Sequence, residues 1–254
     1  MNTIFSFGRS WFFTVLGLVL SLSCSFYSSA SVIEEKDLLF SENMSSMDQG
    51  NIHVSASLME KSELLGSYPE IQDMDQNGLF DDSGVKFLFS KLQFKVKKDL
   101  TSFSKDKIHN PGGFERLSEN VTVKKSSMIS DHQIDLVAHK KVSLVSFTSE
   151  ASFYYFNENE YQDQVYVMNA LESLLEGRKP DIATLISTVT FSKFFNKAVN
   201  YCFYEGLKEK EVLITCFSVI SVKKGALRKY GWITDFRKSF KGELLYTARQ
   251  IMRL

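Results

Sequence analysis

Histidine, cysteine and proline are scarce in this chain, and each shortage removes a kind of chemistry. The four histidines, His53, His109, His132 and His139, lack close ligand spacing. The seven-residue step from His132 to His139 places those two on opposite faces of a strand, so no zinc centre is expected. The three cysteines form no Cys-x-x-Cys pair, which excludes the usual dithiol redox motif. Three prolines supply no proline-rich linker. No Gly-x-Ser-x-Gly elbow and no glycine loop for phosphate is present. Ser-x-x-Lys occurs at Ser83, Ser102, Ser104 and Ser221, but 33 serines and 23 lysines in 254 residues make about three occurrences a chance expectation, so the pattern carries no information.

Apolar and aromatic residues are abundant. With 44% apolar side chains, 22 Phe and 10 Tyr, the chain is able to bury a substantial core in one domain, and a disordered or collagen-like chain is excluded. The longest apolar stretch, Trp11 to Leu20, follows Arg9 and precedes small and polar residues ending Ser28-Ser29-Ala30. Residues 1–30 have the layout of a signal peptide cut after Ala30, so the chain is expected to be exported, periplasmic or secreted. An uncleaved membrane tether is one alternative, although Ser21, Ser23 and Ser25 interrupt the run before it reaches about 20 apolar residues. Lipid attachment at Cys24 is another.

Lys+Arg and Asp+Glu both number 30, yet the charge is unevenly spread. Between Ser31 and Asp82 twelve acids face only Lys36 and Lys61, a net −10, whereas residues 83–254 carry +9. Residues 31–84 are expected to form an acidic segment, poorly ordered or loosely helical, serving as a solvated spacer or as an arm that docks on the basic remainder. It ends in "DMDQNGLFDD" at 73–82. Asp73, Asp75 and Asn77 take alternate positions, Gly78 allows a bend, and the Leu79 carbonyl and Asp81 follow. Calcium takes six to eight such oxygens at roughly 2.3–2.6 Å. Over these ten residues the pattern resembles the Asp-x-Asp-x-Asn-Gly-x-x-Asp calcium loops of extracellular proteins. The resemblance implies a structural Ca²⁺ held by Asp73, Asp75, Asn77, Leu79 and Asp81. It departs from the EF-hand, with Gly84 where a bidentate Glu belongs and Pro69 interrupting the entering helix. A solvated turn is the plain alternative.

Residues 85–254 have the pattern of an α+β domain, a mainly antiparallel sheet with helices packed on one face. Leu92, Phe94 and Val96 alternate as in a strand, and "NPGG" at 110–113 predicts a turn. The stretches from 119 to 168 predict an antiparallel meander with a hairpin at Asn157 to Glu160. One helix ends at Gly177; another starts near Pro180, carries Ile182, Leu185, Ile186 and Val189 on one stripe, and ends at Gly206. Residues 211–222 predict a buried strand. A final helix, capped by Thr234 or Asp235, repeats Phe236, Phe240, Leu244, Ala248 and Met252 every four residues.

With the signal removed, Cys202 and Cys216 remain as an even pair, expected to form a disulfide or to stay as buried thiols. Lys91, Lys95, Lys97, Lys98, Lys105 and Lys107 make one basic cluster. Lys223, Lys224, Arg228, Lys229, Arg237, Lys238 and Lys241 make a second, beside Tyr230 and Trp232. Nucleic acid is not an expected partner for an exported chain. Such clusters suit an anionic surface or lipid headgroups, or are ordinary solvated faces. The function that follows is a non-catalytic binding or envelope/extracellular assembly component. A secreted or periplasmic hydrolase with a sequence-dispersed active site is the alternative.

Overall fold

A computed structural model of the chain describes residues 40–46, 50–75, 77–117, 120–142, 145–190, 192, 195–208, 210–225 and 233–254, giving backbone alone at 40–46, 50–51, 74, 142, 145, 166, 172–173 and 233–241. The elements are β1 (Phe40–Ser46), β2 (Gly50–Met59), α1 (Lys61–Ser67), β3 (Val85–Val96), α2 (Lys105–Ile108), α3 (Pro111–Leu117), β4 (Val121–Ser130), β5 (Gln133–Val142), β6 (Val145–Asn157), α4 (Glu158–Tyr161), α5 (Val165–Leu174), β7 (Ile182–Thr190), β8 (Phe195–Leu207), β9 (Glu211–Lys223) and α6 (Ile233–Arg253). All nine described strands join one sheet in the order β1-β2-β3-β9-β8-β7-β6-β5-β4. Every pairing is antiparallel. Two meanders, β1 to β3 and β4 to β9, meet where β3 pairs with β9 from Val85↔Lys223 to Val96↔Val212.

The central strands are apolar on both faces. On β3, Leu92, Phe94 and Val96 enter one core while Val85, Phe87 and Phe89 enter the other, the two-residue alternation of a strand. The expected α+β architecture with a mainly antiparallel sheet is what forms, and cover extends beyond the single face foreseen because both faces need it. On the first face lie Phe103, Ile108 of α2, Phe114 and Leu117 of α3, and Leu245, Ala248, Ile251 and Met252 of α6. Leu64 of α1, Ile71, Leu79, Phe80 and the α5 residues Val167, Ala170, Leu171 and Leu174 cover the second.

Several local expectations are corrected. Within residues 31–84, foreseen as poorly ordered or loosely helical, Phe40–Ser46 and Gly50–Met59 are instead strands β1 and β2 while Lys61–Ser67 is helix α1, and Ile52, Val54, Ala56 and Leu58 are buried at every second position. The polar residues between them, His53, Ser55 and Ser57, keep the segment from making a conspicuous apolar run. Residues 182–190 are strand β7, not helix: its buried Ile182, Ala183, Thr184 and Leu185 fill both faces, and such double-sided apolarity imitates a helical stripe. Gly206 therefore lies inside β8, where its N–H donates to Asp181 Oδ2 at 2.7 Å. "NPGG" opens a helix, with Asn110 Oδ1 accepting from Gly113 N at 2.8 Å and Pro111 as the first helical residue of α3. The hairpin foreseen at Asn157 is a capping box: Asn157 Oδ1 accepts from the N–H groups of Asn159 and Glu160, and Glu160 Oε2 accepts from Asn157 N. Gly177 does end α5, at φ 73°, donating to Leu171 O.

Candidate functional site

Small side chains in register across four strands make a hollow under α6. Cross-strand neighbours on this face form the row Leu92, Cys216, Cys202, Thr184 and, one step along, Ser90, Ser218, Asn200, Ile186. The next row contains Ala198 and Thr188. Helix α6 packs on α3, β2 and β3 and carries Leu244, Thr247 and Ile251 over these rows. Serine, alanine and threonine do not fill the space between sheet and helix, and a cavity of about 220 Å³ remains, walled by Phe114, Leu117, Val121, Ala138 and Phe147.

Two polar ties hold the roof. Thr247 Oγ1 donates to Leu117 O at 2.8 Å, and Lys140 Nζ of β5 donates to Glu243 Oε1 of α6. Both charged side chains line the cavity at its partly exposed edge. Among the described lining residues they are the only ionisable side chains apart from the paired cysteines, and they face each other.

Behind Thr184 the first core contains buried titratable groups. Tyr204 is fully buried and its hydroxyl is pushed up to about 12, by desolvation first. Tyr155 is likewise raised to about 12 by desolvation, and its Oη donates to Phe103 O at 3.2 Å. His109, 4% exposed, donates from Nε2 to Phe153 O at 2.8 Å and stacks edge-on against the Phe153 ring. Burial holds its imidazolium below the ordinary 6.5, outweighing the Phe153 hydrogen bond that favours the charged form; Lys105 and His132 push in the same direction as burial.

A pH dependence follows from His109. The unfolded chain protonates this imidazole near 6.5 while the folded chain resists, so stability is intact above that value and falls as the pH drops below it. The slope from one proton is at most about 1.4 kcal/mol per pH unit. Urea midpoints between pH 7.5 and 5 should decline in the wild type and flatten in His109→Phe; equal slopes in the two would show that His109 is not the group responsible.

The residues singled out in the sequence lie elsewhere. Asp75 turns its carboxylate inward to its own turn, Oδ1 accepting from Asn77 N and Leu79 N and Oδ2 from Phe80 N. Asn77 Nδ2 donates to Thr188 O and Ala198 O, stitching the turn to β7 and β8, and its Oδ1 is buried without a partner among the described residues. Asp73 Oδ2 accepts from Asn169 Nδ2, Leu79 is buried, and Asp81 is exposed. Gly78, at φ 68°, gives its carbonyl to Lys197 Nζ at 2.7 Å. Among the described residues no three carboxylate, imidazole or thiol side chains gather as a metal site. Cys202 and Cys216, directly paired across β8 and β9, stand with sulfurs 2.09 Å apart, at bonding distance, on the floor of the cavity.

Of the basic clusters, Lys95 and Lys97 are exposed, and Lys107 Nζ is bound to Thr101 O. Lys223 Nζ donates to Ser192 O; Lys224 pairs with Glu60 at 2.9 Å, which holds that carboxyl below its usual range. Asp82 lies 3.5 Å from Lys197. Acids before residue 83 thus do meet bases after it, at Glu60 and Asp82. Arg228, Lys229, Tyr230 and Trp232, and the side chains of Arg237, Lys238 and Lys241, lie outside the described residues, as do residues 1–39 with the proposed signal.

Sequence reasoning passed over Ser90, Ser218 and Asn200. The available signal was a polar residue set inside an apolar strand, "FLFSKL" and "CFSVIS", on the face that must be buried. A larger hollow of about 540 Å³ lies across β4 to β7, but it is lined mainly by polar side chains of the opposite face, and Asp135 within it is already engaged by Gln133 and Ser152.

Neither a protein-family model nor a curated protein matches the sequence. Among solved structures, the chain is similar to human StAR-related lipid transfer protein 5, at 9% identity and a TM-score of 0.43 over 97% of both chains. It is also similar to a START superfamily protein from Mycobacterium smegmatis, at 13% identity and a TM-score of 0.40, covering 65% of this chain and 94% of that one. The di-domain ARO/CYC BexL from the BE-7585A biosynthetic pathway gives 9% identity and a TM-score of 0.44, covering 84% and 72%. Likenesses of this size do not assign the chain to any of these groups.

Proposed function

We propose that the chain is an exported, non-catalytic binding domain that holds a small, mostly apolar molecule in the cavity between α6 and the sheet. The observation that carries this reading is the cavity itself, closed below by β3, β7, β8 and β9 and above by Leu244, Thr247 and Ile251. Its volume of about 220 Å³ lies above the roughly 150 Å³ that accommodates benzene in an apolar protein cavity and below the roughly 300–1,000 Å³ of drug-sized sites. One ring system or a short acyl chain fits; a whole phospholipid does not. The absence of an imidazole or an unpaired carboxylate among the described lining residues favours holding over bond-breaking. Export is supported by the apolar run at 11–20 with its small-residue end at Ala30.

The test is titration of the purified mature chain with N-phenyl-1-naphthylamine, a neutral fluorophore that brightens in apolar surroundings. Saturable one-site binding is expected, and Ala198→Trp, which places an indole in the hollow, should weaken it at least ten-fold while leaving the melting temperature within a few degrees. Binding that never saturates, or that is indifferent to the tryptophan, would remove the cavity as the site.

A further inference from the structure

Resting on that reading, we infer that the cavity's natural ligand is uncharged and carries a hydroxyl or carbonyl group that docks on Ser90, Ser218 and Asn200. These three side chains are consecutive cross-strand partners, Ser90↔Ser218 on β3 and β9 and Ser218↔Asn200 on β9 and β8. Neighbours so related have Cβ atoms about 5 Å apart, so the row spans about 10 Å, within reach of one small molecule. All three line the cavity, and Ser90 and Ser218 are 1% and 7% exposed. Among the described residues their side chains make no hydrogen bond with one another or with any other group, whereas Thr184 and Thr247, which line the same cavity, each donate to a backbone carbonyl.

Buried polar side chains ordinarily find partners. Two buried hydroxyls and a half-buried carboxamide facing one hollow offer donors and acceptors to whatever occupies it. The apolar rows on either side, Leu92 with the cysteine pair and Ile220 with Ala198, would meet hydrocarbon. Charge is disfavoured on the same grounds. Lys140 and Glu243 neutralise each other at the edge, and an ion lowered onto serine and asparagine would lose its hydration with no counter-charge in return.

Three probes of one shape separate the possibilities: naphthalene, 1-naphthol and 1-naphthoate, measured by equilibrium dialysis against the mature chain. 1-Naphthol should bind roughly ten-fold more tightly than naphthalene, the size of one or two net hydrogen bonds, and 1-naphthoate should bind at least ten-fold more weakly than 1-naphthol. In Ser90→Ala/Ser218→Ala the advantage of 1-naphthol should shrink to within two-fold while naphthalene binding persists, which also certifies the fold. Equal binding of naphthalene and 1-naphthol to the wild type, or 1-naphthoate binding as well as 1-naphthol, would overturn the polar docking row and leave the apolar cavity standing. No binding of any of the three would overturn both.

Discussion

Replacing Cys202 and Cys216 together with alanine is expected to lower the melting temperature by roughly 6–12 °C. The bond would close a loop with a sequence separation of 14, and a loop of that length restricts the unfolded chain by about 3 kcal/mol in the chain-entropy picture. At roughly 2–4 °C per kcal/mol for a domain of this size, the stated drop follows. Reduction of the wild type should reproduce it without any change of side-chain volume, and a shift below about 2 °C in both experiments would mean that the two sulfurs contribute as buried thiols. The same cysteines report on the compartment. Exported chain should begin at Ser31 and resist alkylation until reduced, because such a bond persists only where glutathione does not keep thiols open. Full-length protein recovered from the cytosol with three alkylatable thiols, Cys24 among them, would end the export proposal. The location adds a second readout, since Cys202 and Cys216 form one cross-strand row of the cavity floor and their separation should loosen N-phenyl-1-naphthylamine along with the fold.

How much of this was visible beforehand depended on whether a segment faces one environment or two. β9 could be seen because "EVLITCFSVISV" is too apolar and too short to be anything but a buried strand, and α6 because Leu244, Ala248 and Met252 keep a four-residue step under one core. β7 was hidden by the opposite circumstance: Ile182 and Thr184 face one core, Ala183 and Leu185 the other, and the two sets together erase the alternation that marks a strand. The cavity was invisible for a different reason. Its floor is drawn from Ser90, Asn200 and Ser218 and its roof from residues near 250, so no local spacing announces it, and small residues in strands look like weak packing until a helix is laid across them. The acidic turn shows how one set of oxygens can serve two chemistries. Alternate oxygens that suit calcium also suit backbone N–H groups, and Asp75 spends both of its oxygens on Asn77, Leu79 and Phe80 while Lys197 takes the Gly78 carbonyl. Only the fold brings β8 close enough for Lys197 to reach that carbonyl.

Gly113→Ala should destabilise the protein although it replaces a poor helix former with the best one. In an unconstrained helix the exchange would contribute about 1 kcal/mol of stability. Here a Cβ on Gly113 would stand 2.1 Å from the Ile108 carbonyl oxygen and 2.8 Å from its carbonyl carbon. Those atoms are backbone and are not free to retreat. Ile108 is fully buried, His109 N donates to Lys105 O, and the His109 ring is tied to Phe153 O on β6. Either α3 lifts or the α2 corner opens, and both routes disturb Phe114 and Leu117, which pack in the first core and wall the cavity. Overpacking of this kind costs up to about 3 kcal/mol, so a net loss of roughly 2 kcal/mol is expected after the helix gain is counted. The neighbouring glycine supplies the control. A Cβ on exposed Gly112 meets only Asn110 Oδ1, at 3.4 Å, so Gly112→Ala should be neutral or stabilising by up to about 1 kcal/mol. Urea unfolding of the two single variants should therefore move in opposite directions, with naphthylamine binding weakened only in Gly113→Ala. Two variants that both gain stability would show that the corner is not packed this tightly.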